Sequence, residues 1–274
     1  MTSSPSRSLR VVIVSALAAA VVIAGVALLL ADRSDGDQAA VGSEDTSTPL
    51  EPSTVEPTTT ALSTTVAPTT TAPPTTTTTE APPPPPPPPK FQRGDEGQEV
   101  LAIQVRLVEL GYFLPSADGA YGFLTSQAVM AFQKYEGLAR DGIAGPLTLA
   151  ALDTAGSATP RNPNGSHVEI DLERQVMFVV RDGGSLAFNT STGRSGWRTP
   201  AGEFAVTREI DGMRHAELGD LWRPKYFNGG IALHGSGSIP GQPASHGCAR
   251  LSNAAIDFIW DVGLVPKGTP VSVY

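Results

Sequence analysis

A threonine- and proline-rich stretch over residues 32–90 limits most strongly what this chain can fold into. It ends in eight consecutive prolines at residues 82–89, and it carries too few large apolar side chains to form a hydrophobic core. Proline-rich chain favours the extended polyproline II conformation, at about 3.1 Å per residue. The sequence therefore predicts a disordered stalk here, with folded structure only before and after it.

The segment before the stalk has the pattern of a membrane anchor. Residues 11–30 form an uncharged and mostly apolar run, and a helix of about 20 residues spans the roughly 30 Å core of a bilayer. Two arginines precede the run and three aspartates follow it closely, which predicts a cytoplasmic N-terminus and export of the rest. Residues 1–31 are thus predicted to be a cytoplasmic tip and a transmembrane helix at the cell membrane. A cleaved signal peptide, which would leave a secreted protein, is the alternative.

Charge and cysteine content narrow the possible partners. The net charge is −8, and no lysine- or arginine-rich run is present, so nucleic acid is not an expected partner. A single cysteine excludes a disulfide within the chain.

Residues 91–155 are predicted to form a small all-α module. Apolar side chains recur at helical spacing from residue 100 to residue 110, and Gly111 is placed to end that helix. A second helix is expected over residues 125–135. The pattern Asp-Gly-x-x-Gly-x-x-Thr occurs twice, beginning at Asp118 and again at Asp141, and each copy predicts a turn that leads into a helix. Without a cluster of titratable residues, the module is predicted to be structural or ligand-binding.

The stretch over residues 231–253, IALHGSGSIPGQPASHGCARLSN, contains the one cysteine and two of the four histidines of the chain. Its glycines and prolines predict a loop between a short buried strand and a helix. Cys248, with His234 and His246 close in sequence, is a candidate thiol nucleophile. A free thiol is mostly protonated at neutral pH, so an imidazole is needed as its base. A tight turn around Gly247 is expected to supply backbone N–H donors for an oxyanion.

Other interpretations of these residues are open. A lone cysteine is often a small buried apolar residue, and one cysteine with two histidines suggests zinc, although a fourth ligand and paired-ligand spacing are lacking. The glycine-rich loop favours the nucleophile. Arg250 is either an ion-paired framework residue or a clamp for a substrate carboxylate. Trp197 and Trp222 either line a peptide groove or pack in the core.

Residues 166–274, after a polar linker at 156–165, are predicted to be mostly β. Alternating apolar residues predict a hairpin over residues 168–180, further strands follow, and the last strand covers residues 271–274. One helix is expected over residues 254–262, with Asn253 as its N-cap. The fold class is therefore α+β and multidomain.

Two groups of residues carry a resemblance to known families. The pattern His234-Gly235, followed by Ser245-His246-Gly247-Cys248-x-Arg250-Leu251-x-Asn253, resembles the signature of YkuD-type L,D-transpeptidase catalytic domains. The gap between the two parts is shorter than in many members. The helical module resembles a three-helix peptidoglycan-binding domain, on motifs that include Leu110-Gly111-Tyr112 and Ala131-Phe132-Gln133.

The first resemblance implies a β-sandwich-like catalytic fold and a peptidoglycan L,D-transpeptidase acting in cell wall biogenesis. It implies that Cys248 attacks the donor stem peptide, that His234 is the general base, and that the carbonyl of Gly235 orients it. Ser245, His246 and Gly247 would shape the loop and the oxyanion site, and Arg250 and Trp222 would bind substrate. Donor and acceptor stem peptides are the implied partners, with no metal or organic cofactor. An L,D-carboxypeptidase and a non-enzymatic wall-binding protein are the alternatives.

Overall fold

The computed structural model describes residues 89–274. The predicted anchor at residues 11–30 and nearly all of the predicted stalk lie outside the described residues. Within residues 89–274, no helix is both long enough and apolar enough to cross a membrane. The described chain is a helical N-terminal region followed by a mostly β region.

Three helices form the N-terminal region: α1 (Gln98–Glu109), α2 (Phe123–Glu136) and α3 (Pro146–Thr154). The predicted apolar face of α1 is confirmed, because Val100, Ile103 and Leu107 are all buried. Gly111 has a φ of 84°, which is the left-handed conformation that commonly ends a helix. Pro146 begins α3, at a position where a missing N–H costs nothing.

The internal repeat has a structural counterpart in two glutamines. Gln104 on α1 accepts from the N–H of Gly119 and donates to Asp118, to Ala120 and to Thr125. Gln133 on α2 makes the same set of bonds around the second copy, to Asp141, Gly142, Ile143 and Thr148. Each buried glutamine thus fastens one Asp-Gly turn to the start of the following helix.

Two sheets form the C-terminal region. The first has the order β3-β2-β1-β10-β4. Its strands are β1 (His167–Asp171), β2 (Val176–Arg181), β3 (Gly184–Asn189), β4 (Gly202–Ala205) and β10 (Pro270–Val273). The first two strands form the predicted hairpin, and β1 pairs with β10 in parallel.

The second sheet has the order β5-β7-β8-β9, with β6 paired to β7. Its strands are β5 (Arg208–Glu209), β6 (Met213–Arg214), β7 (Leu221–Asn228), β8 (Ile231–Gly235) and β9 (Ala249–Leu251), and helix α4 (Asn253–Asp261) follows. The prediction of Asn253 as N-cap is wrong by one residue. Ser252 is the N-cap, and its hydroxyl accepts from the N–H of Ala255, which satisfies one free donor of the first turn.

Strand β2 is buried on both faces and therefore belongs to two hydrophobic cores. Met177 and Val179 pack with both sheets and α4, whereas Val176, Phe178 and Val180 pack with the three N-terminal helices. This division follows from the alternation of side chains along a strand. The helices and the first sheet thus share one core.

Candidate active site

Strands β8 and β9 run in parallel and position the predicted site. Their register pairs Leu233 with Ala249 and His234 with Arg250. Parallel neighbours need a connection of about a dozen residues or more, and the glycine- and proline-rich loop over residues 236–248 supplies it. Cys248 is the last residue of this loop, directly before β9.

The two faces of this strand pair have different environments. Leu233, Ala249 and Leu251 share one face, and all three lie in the core with α4. Because side chains alternate along a strand, His234, Cys248 and Arg250 share the opposite face. When the register is extended to Cys248, this residue lies on the neighbouring strand, two residues along from the position opposite His234. The Cα atoms of Cys248 and His234 are then roughly 8 Å apart for standard sheet dimensions. The fold thus brings the predicted nucleophile, base and arginine together.

His234 is held in one tautomer by its own neighbour. It is 5% exposed, and its Nδ1 lies 2.9 Å from the carbonyl oxygen of Gly235. A carbonyl only accepts, so Nδ1 carries the hydrogen and Nε2 is free to accept a proton. Burial lowers the pKa of His234 to about 4, against a smaller opposing effect of this hydrogen bond. At neutral pH the imidazole is therefore uncharged.

Cys248 is half-buried and its thiol is also uncharged at rest. Burial raises the pKa of the Cys248 thiol, although the backbone at Ala232 and the charge of Arg250 partly oppose this. Its Sγ lies 3.9 Å from the carbonyl oxygen of Gly230. A thiol of raised pKa needs a base at the moment of attack, and the free Nε2 of His234 suits that purpose.

Ser245 fastens the turn that presents the cysteine. Its hydroxyl donates to the carbonyl of Cys248 at 2.6 Å and accepts from the N–H of Gly247 at 3.0 Å. Gly247 has a φ of 119°, a conformation that favours glycine. Because the N–H of Gly247 donates to Ser245, it is not available to a substrate. The N–H groups of His246 and Cys248 have no acceptor among residues 89–274.

The side chain of His246 points to the segment after β3. Its Nε2 lies 2.9 Å from Nη2 of Arg194, and since a guanidinium only donates, Nε2 is the acceptor. The ring also forms a T-shaped contact with Trp197, which is 44% exposed. With its lone pair engaged by Arg194, His246 is a poorer base for Cys248 than His234 is.

Arg250 pairs with His234 across the two strands and lies two residues after Cys248, and its guanidinium is unpaired among residues 89–274. Its backbone is fixed, because its N–H donates to Ser191 and its carbonyl accepts from Thr190. The half-buried side chain forms no salt bridge with any residue of the described range. An unpaired guanidinium beside a nucleophile is suited to bind a carboxylate of a substrate.

Gly235 is tightly enclosed, and the structure does not bring Trp222 to the site. A Cβ on Gly235 would lie 2.6 Å from Oδ1 of Asn253 and 2.8 Å from both Ile256 and Trp222. Trp222 pairs with Gly235 across β7 and β8, so it lies on the face opposite His234. Its indole donates to Asp257 of α4 at 2.7 Å. The sequence left open whether Trp197 and Trp222 line a groove or pack in the core. Trp197 is the one that lies beside the turn at Cys248, where it contacts His246.

A metal site is not formed by these residues. No group of three or more histidine, cysteine, aspartate or glutamate side chains within residues 89–274 is arranged to hold a metal ion.

Comparison with known proteins agrees with this geometry. The family model of the L,D-transpeptidase catalytic domain (YkuD) matches residues 165–273, and that of a peptidoglycan binding domain matches residues 96–152. The crystal structure of an L,D-transpeptidase from Xylanimonas cellulosilytica DSM 15894 is 51% identical, with a TM-score of 0.65, over 70% of this chain and 100% of that one. The chain belongs to the L,D-transpeptidase family.

Curated relatives match over shorter stretches. The N-acetylmuramoyl-L-alanine amidase CwlL of Bacillus licheniformis is 40% identical over 91 residues, which is 32% of this chain and 25% of that protein. The amidase CwlM of Mycobacterium tuberculosis is 45% identical over 56 residues, which is 20% of this chain and 14% of that protein. The chain thus spans a quarter or less of these two relatives.

The structure adds residues to the site of this L,D-transpeptidase that sequence reasoning missed. The hydroxyl of Thr199 donates to the carbonyl of Gly247 at 2.7 Å and accepts from the N–H of Gly193. The carbonyl of Thr192 accepts from the N–H of Ser245. The resemblance of the sequence to L,D-transpeptidases extends to their motifs, Ser191-Thr192-Gly193 and Thr199-Pro200-Ala201-Gly202, but it assigned them no role, and only the fold places them beside Cys248.

Proposed function

We propose that this protein is a peptidoglycan L,D-transpeptidase, which joins stem peptides through a thioester on Cys248. The observation that carries the proposal is the placement of Cys248 and His234 on one face of two parallel strands, with Nδ1 of His234 engaged by Gly235. A nucleophile, a base and a group that orients the base are the parts that acyl transfer by a cysteine requires.

The first half-reaction forms the acyl-enzyme. Sγ of Cys248 bonds to the carbonyl carbon of the third stem residue while its proton passes to Nε2 of His234. The oxygen that becomes negative is placed to accept from the free N–H groups of Cys248 and His246. When the carbon–nitrogen bond breaks, the departing D-alanine takes the proton from His234, and a thioester remains.

The second half-reaction restores the enzyme. An amine of a neighbouring stem peptide attacks the thioester, His234 accepts the proton of that amine, and Cys248 leaves and regains a proton. Arg250 is placed to bind a carboxylate of the donor. Water in place of the amine would make the same site an L,D-carboxypeptidase, and this is the second candidate because the two reactions share every residue named.

The N-terminal region is proposed to bind peptidoglycan as a three-helix domain. The family match over residues 96–152 supports this, and so do the two relatives named as N-acetylmuramoyl-L-alanine amidases. A wall-binding protein without activity would need neither the base nor the nucleophile, so the site disfavours that alternative.

The location is proposed from the sequence alone. Residues 11–30 would anchor the protein in the cell membrane, with the folded region on the cell-wall side and residues 32–90 as the stalk between them. Cleavage within residues 1–31 would release the same region as a secreted protein.

Incubation of the purified protein with a stem tetrapeptide tests the function. Mass spectrometry should show release of D-alanine, a thioester adduct on Cys248, and a cross-linked dimer when an amine acceptor is present. A tripeptide as the sole product, even at high acceptor concentration, would favour the carboxypeptidase. The Cys248→Ala protein is the control, and an adduct on that protein would overturn the assignment of the nucleophile.

A further inference from the structure

Lys134, near the end of α2, places its ammonium inside the C-terminal region of the protein. The side chain is 1% exposed. Its Nζ lies 2.6 Å from Oδ1 of Asn189, 2.7 Å from the carbonyl of Thr190, 3.2 Å from that of Pro240 and 3.3 Å from that of Gln175. One amino group from the helical region therefore contacts three separate segments of the β region.

Two of these segments adjoin the active site. Pro240 belongs to the loop between His234 and Cys248. Thr190 is followed by Ser191, whose backbone exchanges hydrogen bonds with that of Arg250 at 3.1 and 3.3 Å. Lys134 is thus bonded to the catalytic loop directly and to the strand of Arg250 through one neighbouring residue.

Further contacts from the helical region support the same part of the loop. Arg140 donates to the carbonyl of Gly241 at 3.4 Å, and a Cβ on Gly241 would lie 2.6 Å from the carbonyl oxygen of Arg140. Asn189 donates both to Gln127 of α2 and to the carbonyl of Ile239. Three consecutive loop residues, 239–241, are therefore held by the helical region or by a residue bonded to it.

The burial of Lys134 is costly and calls for a reason beyond packing. All four acceptors are neutral oxygens, and none of the salt bridges among residues 89–274 includes this lysine. Burial, with a smaller effect of Arg140, lowers the pKa of Lys134 to about 7. An apolar side chain of similar length would fill the space at lower cost, whereas an ammonium offers three donors that fix the positions of the oxygens around it.

We propose that Lys134 is a positioning residue for the reaction at Cys248, and that it fixes the position of the loop over residues 236–248 relative to His234. The inference rests on the proposed function for its reaction, but the positioning of the thiol is measurable without any substrate. Under this proposal the helical region helps to position the active-site loop, in addition to its proposed role in wall binding.

The test compares Lys134→Met with Gln104→Met in the full-length protein. Gln104 is a buried polar residue of the same helical region, and its bonds stay within that region. The effect of Gln104→Met therefore measures what destabilisation of the helical region alone does to the active site. The two readouts are the rate of Cys248 alkylation by iodoacetamide across pH and the separate kcat and KM values for tetrapeptide. Both are measured well below the melting temperature of each variant.

We expect Lys134→Met to slow alkylation and lower kcat by about tenfold or more, since small displacements of reacting groups have effects of that size, while KM changes less. Gln104→Met should keep both rates within about twofold. Equal losses in the two variants, or wild-type rates in Lys134→Met, would overturn the proposal.

If Lys134→Met does not fold, Arg140→Ala provides the second test, because its side chain is largely exposed and it contacts the same loop at Gly241. A several-fold loss of alkylation rate supports the inference, and an unchanged rate contradicts it. Failure of the proposed function would give a different result. The thiol of the wild type would be alkylated rapidly, because His234 accepts its proton, yet no D-alanine would be released from tetrapeptide.

Discussion

The Nδ1–H of His234 donates to the carbonyl oxygen of Gly235, the next residue in the chain, at 2.9 Å. The bond leaves Nε2 as the basic atom, and burial keeps the ring neutral at physiological pH. A backbone carbonyl here does what a carboxylate does in other catalytic triads: it fixes the tautomer and the direction of the ring. Because the carbonyl carries no full charge, it raises the pKa of the imidazole less than a carboxylate would.

Activity should persist to unusually low pH. His234 accepts the thiol proton only when it is neutral, and its pKa of about 4 lies below the ordinary value of 6.5. The acid limb of kcat/KM against pH is therefore expected near pH 4. His234→Ala should lower kcat/KM by roughly 10²–10⁴-fold, the usual contribution of a general base. A wild-type acid limb at about pH 6.5 would contradict the neutral, buried imidazole.

The same pKa predicts how stability depends on pH. His234 takes up a proton less readily in the folded protein than in the unfolded chain, so protonation favours unfolding. Its contribution to stability is fully present above pH 6.5 and is lost as the pH falls toward about 4. Denaturant unfolding of wild type and His234→Gln between pH 4 and 7 measures this. The wild type should lose more stability over that interval, and parallel curves would refute the prediction.

The two histidines should be separable by thiol chemistry. His246→Ala removes a ring that accepts from Arg194 and packs on Trp197, so it should disturb the turn without removing the base. His234→Ala should shift the pH profile of Cys248 alkylation toward that of an unassisted thiol, whereas His246→Ala should lower the rate at all pH values and keep the profile. The opposite pattern would exchange the two roles.

Sequence reasoning was most informative where a local pattern determines structure. The apolar spacing of α1, the hairpin of β1 and β2, and the strand–loop–helix order around Cys248 follow from periodicity and turn residues within a few positions. Reasoning stopped at contacts between distant residues. The hydrophobic run of β2 does not reveal that it serves two cores, and nothing near Lys134 in sequence indicates that its ammonium reaches Pro240. Trp222 was predicted to bind substrate, but the face of the sheet on which it lies depends on its pairing with Gly235, and the sequence alone does not show that pairing.

Gly235 should tolerate no side chain. A Cβ there would come within 2.8 Å of Ile256 and Trp222, and overpacking of this kind costs about 1–3 kcal/mol. Gly235→Ala is expected to lower the melting temperature and also the activity, because the displaced carbonyl is the partner of His234. Gly237→Ala is the matched control, since a Cβ at Gly237 has nothing within 4 Å. Equal effects of the two substitutions would show that the packing around Gly235 is not limiting.

The proposed stalk should matter only in the cell. Residues 32–90 contain no catalytic candidate, and a tether sets which targets a module reaches and at what effective concentration. Deletion of residues 46–89 is therefore expected to leave the turnover of soluble tetrapeptide unchanged and to lower cross-linking of the cell wall. Muropeptide analysis at matched protein levels measures the second effect. Unchanged cross-linking would remove the argument that the stalk is a spacer.

Removal of the helical region should unfold the catalytic domain. A chain that begins at residue 156 would expose Val176, Phe178 and Val180, which are at most 2% exposed in the intact protein. Each such side chain contributes about 1.5–3 kcal/mol when buried, so the three together approach the 5–15 kcal/mol that stabilises a typical domain. The truncated chain should bind hydrophobic dyes and show no cooperative melting, whereas a chain that begins at Phe91 should melt cooperatively and release D-alanine. A folded and fully active chain from residue 156 would show that the shared core is dispensable, and would leave the contacts of Lys134 without consequence for the active site.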